Sequence, residues 1–204
     1  MLSAGSSAVE ARDPKKHAIM MLRGKCISVL KATKEKVLAN KEYNDIISAI
    51  GAGFDETFDV NKMNYDKIVI TSDFDSDGQN IELLLITFFF RYMRPLVEAG
   101  KLYRAVTPLY IANYQKKDYF LYTEKELEQF RKGKGKFELS HIKGLGELNP
   151  EELKKVCFDN ELYKRINVSD IEKAEELLEI LMGKAVTPRK EYIYDNAENI
   201  GFSF

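Results

Sequence analysis

The sequence has little of what disulfide-rich, zinc-binding or membrane-spanning proteins need. Its two cysteines, Cys26 and Cys157, lie far apart and lack companions at metal-ligand spacing, so both are expected to be buried free thiols of a reducing compartment. No signal peptide is visible at the N-terminus. The apolar run at residues 81–100 is interrupted by charged residues and a proline, so it predicts a buried helix and no membrane span.

The chain also has no strong net charge, since its formal charge is −1. The net charge by itself therefore gives no reason to expect a polyanionic partner. The charge is unevenly distributed. Residues 1–36 hold eight Lys/Arg against three Asp/Glu, whereas residues 150–204 hold eight against twelve. A basic N-terminal region is compatible with phosphate contact, although a solvated surface is the commoner cause. With 45% apolar and 31% charged residues, the composition predicts a packed, soluble protein.

Three carboxylates at alternate positions stand out in "KIVITSDFDSDGQNIELLL". The β-branched run at residues 67–71 predicts a strand buried on both faces of a parallel sheet. A helix is predicted from Ile81 to about Val97. Asp73, Asp75 and Asp77 therefore lie where a strand ends and a helix begins, the usual position of ligand sites in open α/β sheets.

These aspartates and Gly78 also match the first half of an EF-hand loop. Such a loop needs a bidentate glutamate at its twelfth position, which is Leu84 here. The preceding segment is a strand pattern, whereas an EF-hand is entered from a helix. Calcium sensing is therefore disfavoured.

Clustered carboxylates repel one another unless a cation lies between them. If the chain stays extended, Asp73, Asp75 and Asp77 face one side, and Gly78 allows a sharp exit into the helix. Such hard oxygen ligands suit Mg²⁺, which binds one or two carboxylates and keeps waters or phosphate oxygens. Acidic residues that merely solvate a loop remain the alternative at this point.

The remaining pattern predicts an α/β fold with a parallel sheet flanked by helices. Residues 25–30 form a β-rich run, residues 34–50 form a helix ended by glycine, and residues 101–114 form one strand. From residue 118 the pattern changes to strand, helix, a solvated basic loop at 131–136, a strand and further helices. The predicted helix starts are a Thr123/Glu126 capping box and Asn149 followed by Pro150. We therefore predict a core at residues 1–117 and an extension at 118–204 that is α+β and then helical.

Several motifs occur in an order that resembles one family. They are "SAGSSA", "LRGK", "SDFDSDGQNI", "KGLGELNPEEL" and "LMGKAVTPRKEYI". This succession is similar to the C-terminal half of the B-type subunit of type IIA DNA topoisomerases, which include gyrase, topoisomerase IV and phage relatives. The resemblance covers essentially the whole chain and implies a Rossmann-like Toprim domain followed by a small helical tail.

The resemblance implies the roles of the acidic residues. Asp73 and Asp75 would be direct Mg²⁺ ligands, and Asp77 would be a second or water-mediated ligand. All three are candidate catalytic residues.

The resemblance also implies roles for basic residues. Lys143, beside the glycine turn at 144–146, would lie near the DNA-facing site and is a further catalytic and DNA-binding candidate. Arg23 and Lys25 match a basic motif on the same side and are DNA-binding candidates. A capping or solvated role for these three residues is equally open.

Two positions depart from the family pattern. Asn80 stands where the family has a histidine, and it cannot titrate near neutrality. The family's catalytic glutamate aligns immediately before Met1, so the expected fold lacks its first strand. We therefore hypothesise a split-subunit enzyme in which an upstream ATPase and transducer polypeptide supplies the strand and the glutamate. A fragment of a longer chain is the alternative.

The implied function is ATP-dependent, reversible double-strand DNA cleavage and religation in a heteromeric complex. A tyrosine of an A-type subunit would attack double-stranded DNA, Mg²⁺ would assist from this chain, and ATP would bind the upstream part. The implied location is the cytoplasm of a bacterium or phage-infected cell. Three rivals stay open: another Toprim enzyme such as a primase or nuclease, a phosphatase with Asp73 as nucleophile, and a non-catalytic assembly or DNA-binding subunit.

Overall fold

The computed structural model describes residues 2–23, 26–73, 75–159 and 162–197. The chain forms two compact units. The first comprises Met1–Lys25, Tyr65–Leu83 and Gly100–Ile166, and the second comprises Cys26–Asn64, Leu84–Ala99 and Asn167–Phe204.

One sheet of the first unit contains β1 (Ile68–Ile70), β2 (Leu102–Ala105) and β6 (Tyr163–Arg165) in the order β1-β2-β6. Strands β1 and β2 run parallel, with Ile68 opposite Leu102, and β6 is antiparallel to β2. The predicted α/β class is confirmed, with mixed rather than wholly parallel strands. Burial of β1 is complete only at Ile70, because β1 is an edge strand among the described residues and Ile68 and Val69 stay half-buried.

A second sheet in this unit is antiparallel and contains β3 (Tyr110–Tyr114), β4 (Lys117–Leu121) and β5 (Glu138–His141) in the order β4-β3-β5. The β3–β4 hairpin turns through two residues, Gln115 and Lys116, with φ of 52° and 62°, as tight hairpins require. The single strand predicted over residues 101–114 is wrong. It is divided between the two sheets around Pro108, which has no N–H to donate to a ladder.

The helices of the first unit are α1 (Leu2–Ala11), the N-terminal part of α4 (Ser76–Tyr92), α6 (Glu124–Gly133) and α7 (Pro150–Lys154). The helix start predicted at Asn149 is confirmed, and Asn149 also forms a complete capping box through reciprocal 2.9 Å bonds with Glu152. At α6, Thr123 accepts the Glu126 N–H at 3.2 Å, but the Glu126 carboxylate accepts the Tyr122 N–H instead of that of Thr123. Of the two hydrogen bonds of the predicted capping box, only the one accepted by the Thr123 side chain is therefore formed.

Two apolar clusters stabilise the first unit. One includes Leu145, Leu153 and Cys157, and the other joins Ala112, Leu121 and Leu127. Both cysteines are free and buried, as predicted. Burial raises the pKa of the Cys26 and Cys157 thiols to about 11, so both stay protonated near neutrality.

The second unit is helical over the part that the structure describes. Its helices are α2 (Lys34–Ala39), α3 (Lys41–Ile50), the C-terminal part of α4 (Ser76–Tyr92), α5 (Arg94–Glu98), α8 (Ile171–Met182) and α9 (Thr187–Asp195). The helix predicted over residues 34–50 is broken at Asn40, whose side chain accepts the Tyr43 N–H at 3.2 Å and caps α3. Gly51 ends α3 with a left-handed φ of 69°, as predicted.

The β-rich run predicted at residues 25–30 is wrong, since its described residues, 26–30, form no strand. Two of them, Cys26 and Val29, are core residues instead, 4% and 1% exposed. The Ile27 carbonyl accepts the Tyr43 hydroxyl at 2.7 Å rather than a ladder bond. Tyr43 in turn stacks on Phe88 of α4 with ring centroids 4.3 Å apart. Among the described helices, none has the length and apolarity needed to cross a bilayer.

Candidate metal centre at the end of the first strand

The acidic segment follows β1 directly and enters α4 at Ser76, earlier than the start predicted at Ile81. Asp75 is the reason for the early start. Its Oδ1 accepts the Gly78 N–H at 2.6 Å, and its carbonyl accepts the Gln79 N–H at 3.0 Å. This is an N-cap, which satisfies backbone donors that a helix start leaves unpaired.

The early start changes the geometry of the three carboxylates. Asp77 lies in the first turn of α4, where negative charge is favourable to the helix dipole. Strand alternation therefore does not continue from Asp73 to Asp77. Within residues 2–73, 75–159 and 162–197, no three His, Cys, Asp or Glu side chains form a group that could hold a metal ion.

The Asp73 side chain contacts the segment that follows β5. Its Oδ1 accepts the Leu145 N–H at 2.8 Å across 72 residues of sequence. A Cβ at Gly144 would lie 3.0 Å from the same Oδ1, so the glycine permits close packing of the carboxylate on the chain. The structure thus brings the "SDFDSDG" and "KGLGE" motifs together at Asp73.

Gly78 is required for a different reason from the one predicted. It lies inside α4, and a Cβ there would stand 2.2 Å from the carbonyl oxygen of Asp73 and 2.8 Å from its carbonyl carbon. Real atoms cannot approach so closely, so any side chain would displace the Asp73 backbone. The glycine of the motif therefore allows helix α4 to pack tightly on the strand end.

Glu82 is a supporting residue that the sequence reading missed. It lies on α4, where Oε2 is 3.4 Å from the donating Ser72 hydroxyl and Oε1 is 3.6 Å from an Arg104 guanidinium nitrogen on β2. The Glu82 side chain is only 15% exposed. It therefore links α4 to β2 and to the residue before Asp73. An acidic residue within the apolar run that begins at Ile81 is the signal that could have found it.

The predicted basic residues are exposed where the structure describes them. Lys143 immediately precedes Gly144, and its backbone N–H donates to Glu147 at 3.1 Å. Arg23 lies in an irregular segment, and Lys25 lies outside the described residues. Asn80, which replaces the family histidine, is exposed on α4.

The donor set at Asp73 and Asp75 fits a magnesium ion. Each carboxylate has one oxygen that accepts a backbone N–H, and a carboxylate offers about four acceptor positions. Each therefore keeps acceptor capacity while its orientation is held. Mg²⁺ in phosphate-handling sites is commonly bound by one or two carboxylates together with waters and substrate phosphates.

Comparison with known proteins confirms the resemblance. The model of the Toprim domain matches residues 3–107, and the model of the DNA gyrase B subunit carboxyl terminus matches residues 134–194. The chain is similar to the DNA gyrase B subunit of Thermus thermophilus, with 44% identity over 203 residues, 96% of this chain and 32% of that protein. It is similar to the DNA gyrase B subunit of Archaeoglobus fulgidus, with 43% identity over 200 residues, 97% of this chain and 32% of that protein.

A relative with a different name gives the same level of similarity. The chain is 43% identical over 203 residues to the DNA topoisomerase 4 B subunit of Streptococcus pneumoniae, with 96% of this chain and 31% of that protein covered. The chain therefore spans about a third of the length of the curated relatives that it matches.

Proposed function

Because the chain belongs to the Toprim domain family shared with the B subunits of DNA gyrase and topoisomerase IV, we propose that it is the metal-binding part of a type IIA DNA topoisomerase. In this function it assists reversible double-strand DNA cleavage and religation by a tyrosine of an A-type subunit. The complex would be ATP-dependent through a part outside these residues.

The contact between Asp73 and Leu145 carries the proposal. It joins two separate family motifs at the carboxyl end of β1, which is where open α/β sheets place ligand sites. An acidic loop that served only to solvate the surface would need neither this bond nor the two close glycine packings at Gly78 and Gly144.

Each residue has a part in the proposed site. Asp73 and Asp75 would hold Mg²⁺, with Asp77 contributing directly or through water. When bound, such an ion polarises a phosphodiester and stabilises the leaving 3′-oxygen. The Leu145 N–H orients Asp73, and the helix cap orients Asp75. Both carboxylates are therefore already in position before the reaction, and no further ordering of them is needed.

Basic residues would hold the DNA in this proposal. Lys143 would contact a phosphate beside the scissile bond, with Arg23 and Lys25 as further phosphate contacts. Such contacts position the duplex without reading its sequence. Binding through them should weaken as salt rises, because phosphate neutralisation releases counterions.

The partners follow from the same proposal. They are double-stranded DNA, the A-type subunit, and an upstream part that provides the ATPase, a further strand beside β1 and the family glutamate. That part is supplied either by a separate polypeptide, as the split-subunit hypothesis states, or by a continuation of this chain. The predicted cytoplasmic location stays a prediction.

The test uses matched substitutions of Asp73 in the complete complex. Asp73→Asn removes the charge but keeps an oxygen that can accept the Leu145 N–H. We expect plasmid cleavage to fall at least about 100-fold, while complex assembly and thermal stability stay unchanged. Asp73→Ala should lose cleavage and also lower stability, because it removes the acceptor of a half-buried N–H.

The control is Asp118→Asn, which changes an exposed aspartate on β4 and should leave cleavage intact. Normal Mg²⁺-dependent cleavage by Asp73→Asn would overturn the metal-binding assignment. Absence of cleavage by the unsubstituted complex would favour a non-catalytic assembly role.

A further inference from the structure

The turn end of the β3–β4–β5 sheet carries lysines that the proposed site does not use. Lys116 lies in the hairpin turn and Lys117 begins β4, while Lys134 and Lys136 lie between α6 and β5. All four are exposed. We call them the hairpin lysines. Sequence reasoning treated the segment that holds Lys134 and Lys136 as a solvated loop.

The strand register brings these lysines to one place. Glu138, the first residue of β5, pairs with Asn113 near the end of β3. Lys136 is two residues before Glu138 and therefore approaches the same end of the sheet as the β3–β4 turn. Two segments that are well separated along the sequence thus converge on one surface.

Lys134 is held on an aromatic base. Its Nζ lies 5.2 Å from the Tyr114 ring centroid and 5.8 Å from that of Tyr119, within cation–π range. Tyr114 on β3 lies opposite Lys117 on β4, and Tyr119 is two residues after Lys117 on β4. All three side chains are therefore on one face of the sheet. Lys134 and Lys117 therefore present their charges on the same side of the hairpin.

The aromatic base is itself packed. Phe130 of α6 lies 5.0 Å from Tyr119 and 5.0 Å from Phe137, measured between ring centroids. This packing fixes the α6–β5 connection against the hairpin. The loop is therefore anchored next to the turn instead of moving freely through solvent.

The four hairpin lysines outnumber the two carboxylates beside them, Asp118 and Glu138. Asp118 accepts a hydrogen bond from the Asn113 amide at 2.8 Å, and Glu138 is exposed on β5. In the part of the chain that the structure describes, no ion pair involves any of the hairpin lysines. Four exposed cations on a packed hairpin fit a polyanionic partner.

The surface lies within one DNA turn of the candidate metal centre. Nine residues lead from Lys136 along β5 to Leu145, which donates to Asp73. Even fully extended, nine residues span at most about 32 Å, whereas one turn of duplex DNA is about 34–36 Å long. One turn of a duplex bound at Asp73 is therefore long enough to reach the hairpin.

We propose that the hairpin lysines bind backbone phosphates of the same DNA duplex, within about ten base pairs of the cleaved bond. This proposal rests on the proposed function, because it takes the cleaved duplex as the occupant. The contacts would add affinity and salt dependence without adding sequence preference.

The test replaces three lysines together and measures the salt dependence of DNA binding. The variant is Lys117→Gln, Lys134→Gln and Lys136→Gln, assembled with the A-type subunit. A fluorescently labelled duplex of about three helical turns is titrated at several salt concentrations. We expect the slope of log affinity against log salt to become shallower by about 2–3, near 0.9 for each lost phosphate contact.

Two matched variants complete the binding test. Replacement of Lys173, Lys184 and Lys190 by Gln removes the same charge from exposed positions of the second unit and should leave the slope unchanged. Replacement of the three hairpin lysines by Arg keeps the charge and should keep the slope. An unchanged slope in the Gln variant, or an equal loss in the second-unit control, would overturn the proposal.

DNA length and cleavage separate this proposal from the proposed function. With duplexes cut back to the cleavage point on the hairpin side, the hairpin variant should bind like the unsubstituted complex. At low salt it should also keep Mg²⁺-dependent cleavage, which Asp73→Asn loses. If the hairpin variant cleaves normally and its salt slope is unaltered, only the hairpin proposal is overturned. If its slope is altered but no complex cleaves DNA, the unsubstituted one included, only the metal-centre assignment is overturned.

Discussion

The end of β1 and the turn end of the β3–β4 hairpin both gather charge in the first unit, but they hold it differently. Asp73 and Asp75 are oriented by backbone N–H groups at 2.8 and 2.6 Å, with Gly78 packed against the Asp73 backbone. The hairpin lysines are exposed, and the Lys134 Nζ lies over two rings whose centroids are 5.2 and 5.8 Å away. The first arrangement suits a geometry-sensitive reaction centre, and the second suits additive binding to a polyanion.

Gly78→Ala should produce the largest stability effect and break the tight packing at the end of β1. The added methyl would meet the Asp73 carbonyl oxygen at 2.2 Å, and such overpacking costs about 1–3 kcal/mol. The measurement is the free energy of unfolding in urea. Gly135→Ala is the matched substitution at the hairpin end, where a Cβ meets nothing within 4 Å, and it should change stability by less than about 0.5 kcal/mol. Equal effects at both glycines would contradict the comparison.

Asp75 should separate the structural role of a carboxylate from its chemical one. Asp75→Ala removes the cap of α4 and should cost about 1 kcal/mol, whereas Asp75→Asn keeps a good N-cap and should cost little. Both should lose Mg²⁺-dependent cleavage by the complex. Thermal melts and a plasmid cleavage assay measure the two roles separately. If the Asn variant kept cleavage, Asp75 would have only the structural role of capping α4.

Lys134→Ala should give the smallest effect, because an exposed cation–π contact is worth about 0.5–1 kcal/mol. Lys132→Ala removes a neighbouring exposed lysine from the last turn of α6, where the lost helix-dipole contact and the higher helix propensity of alanine offset each other, so it should be neutral within the error of a urea titration. Indistinguishable stabilities for the two variants would mean that the Tyr114 and Tyr119 faces do not hold Lys134. The hairpin lysines would then act only as mobile charges.

The residues with local signatures were predicted well. Asn149, Thr123 and Gly51 each act on atoms within one helical turn, so their patterns can be recognised without knowing the rest of the fold. The strand at β1 and the α/β class follow from a β-branched run and from the order of elements. The family resemblance rests on motif order and is confirmed by the matches to both parts of the chain.

The errors share a cause. Residues 25–30 have strand composition, but Val29 is buried as a core anchor and the Ile27 carbonyl is satisfied by Tyr43. Strand propensity describes a fit to a half-buried sheet surface, which neighbours in space must supply. Residues 101–114 were read as continuous because both halves are strand-like. Only the partners of β2 and β3 show that they belong to different sheets.

The candidate site likewise has parts that the sequence predicts and parts that it does not. Its acidic motif is visible in the sequence, but the start of α4 was placed too late because Asp75 was read as a ligand and not also as a helix cap. The roles of Asp77, Lys143, Arg23 and Lys25 stay predictions. Glu82 escaped notice because its partners, Ser72 and Arg104, are distant along the chain.

The sequence by itself determined the α/β class, the helix ends at Thr123, Asn149 and Gly51, and the family that the chain resembles, because these depend on residues that are close together or on the order of motifs. The tertiary structure alone decided that Leu145 would orient Asp73, that Gly78 would admit the Asp73 backbone, and that Lys134 would lie over two tyrosine rings. Such contacts join residues that are not neighbours along the chain, and the packing of the whole first unit is needed to bring their atoms within bonding distance.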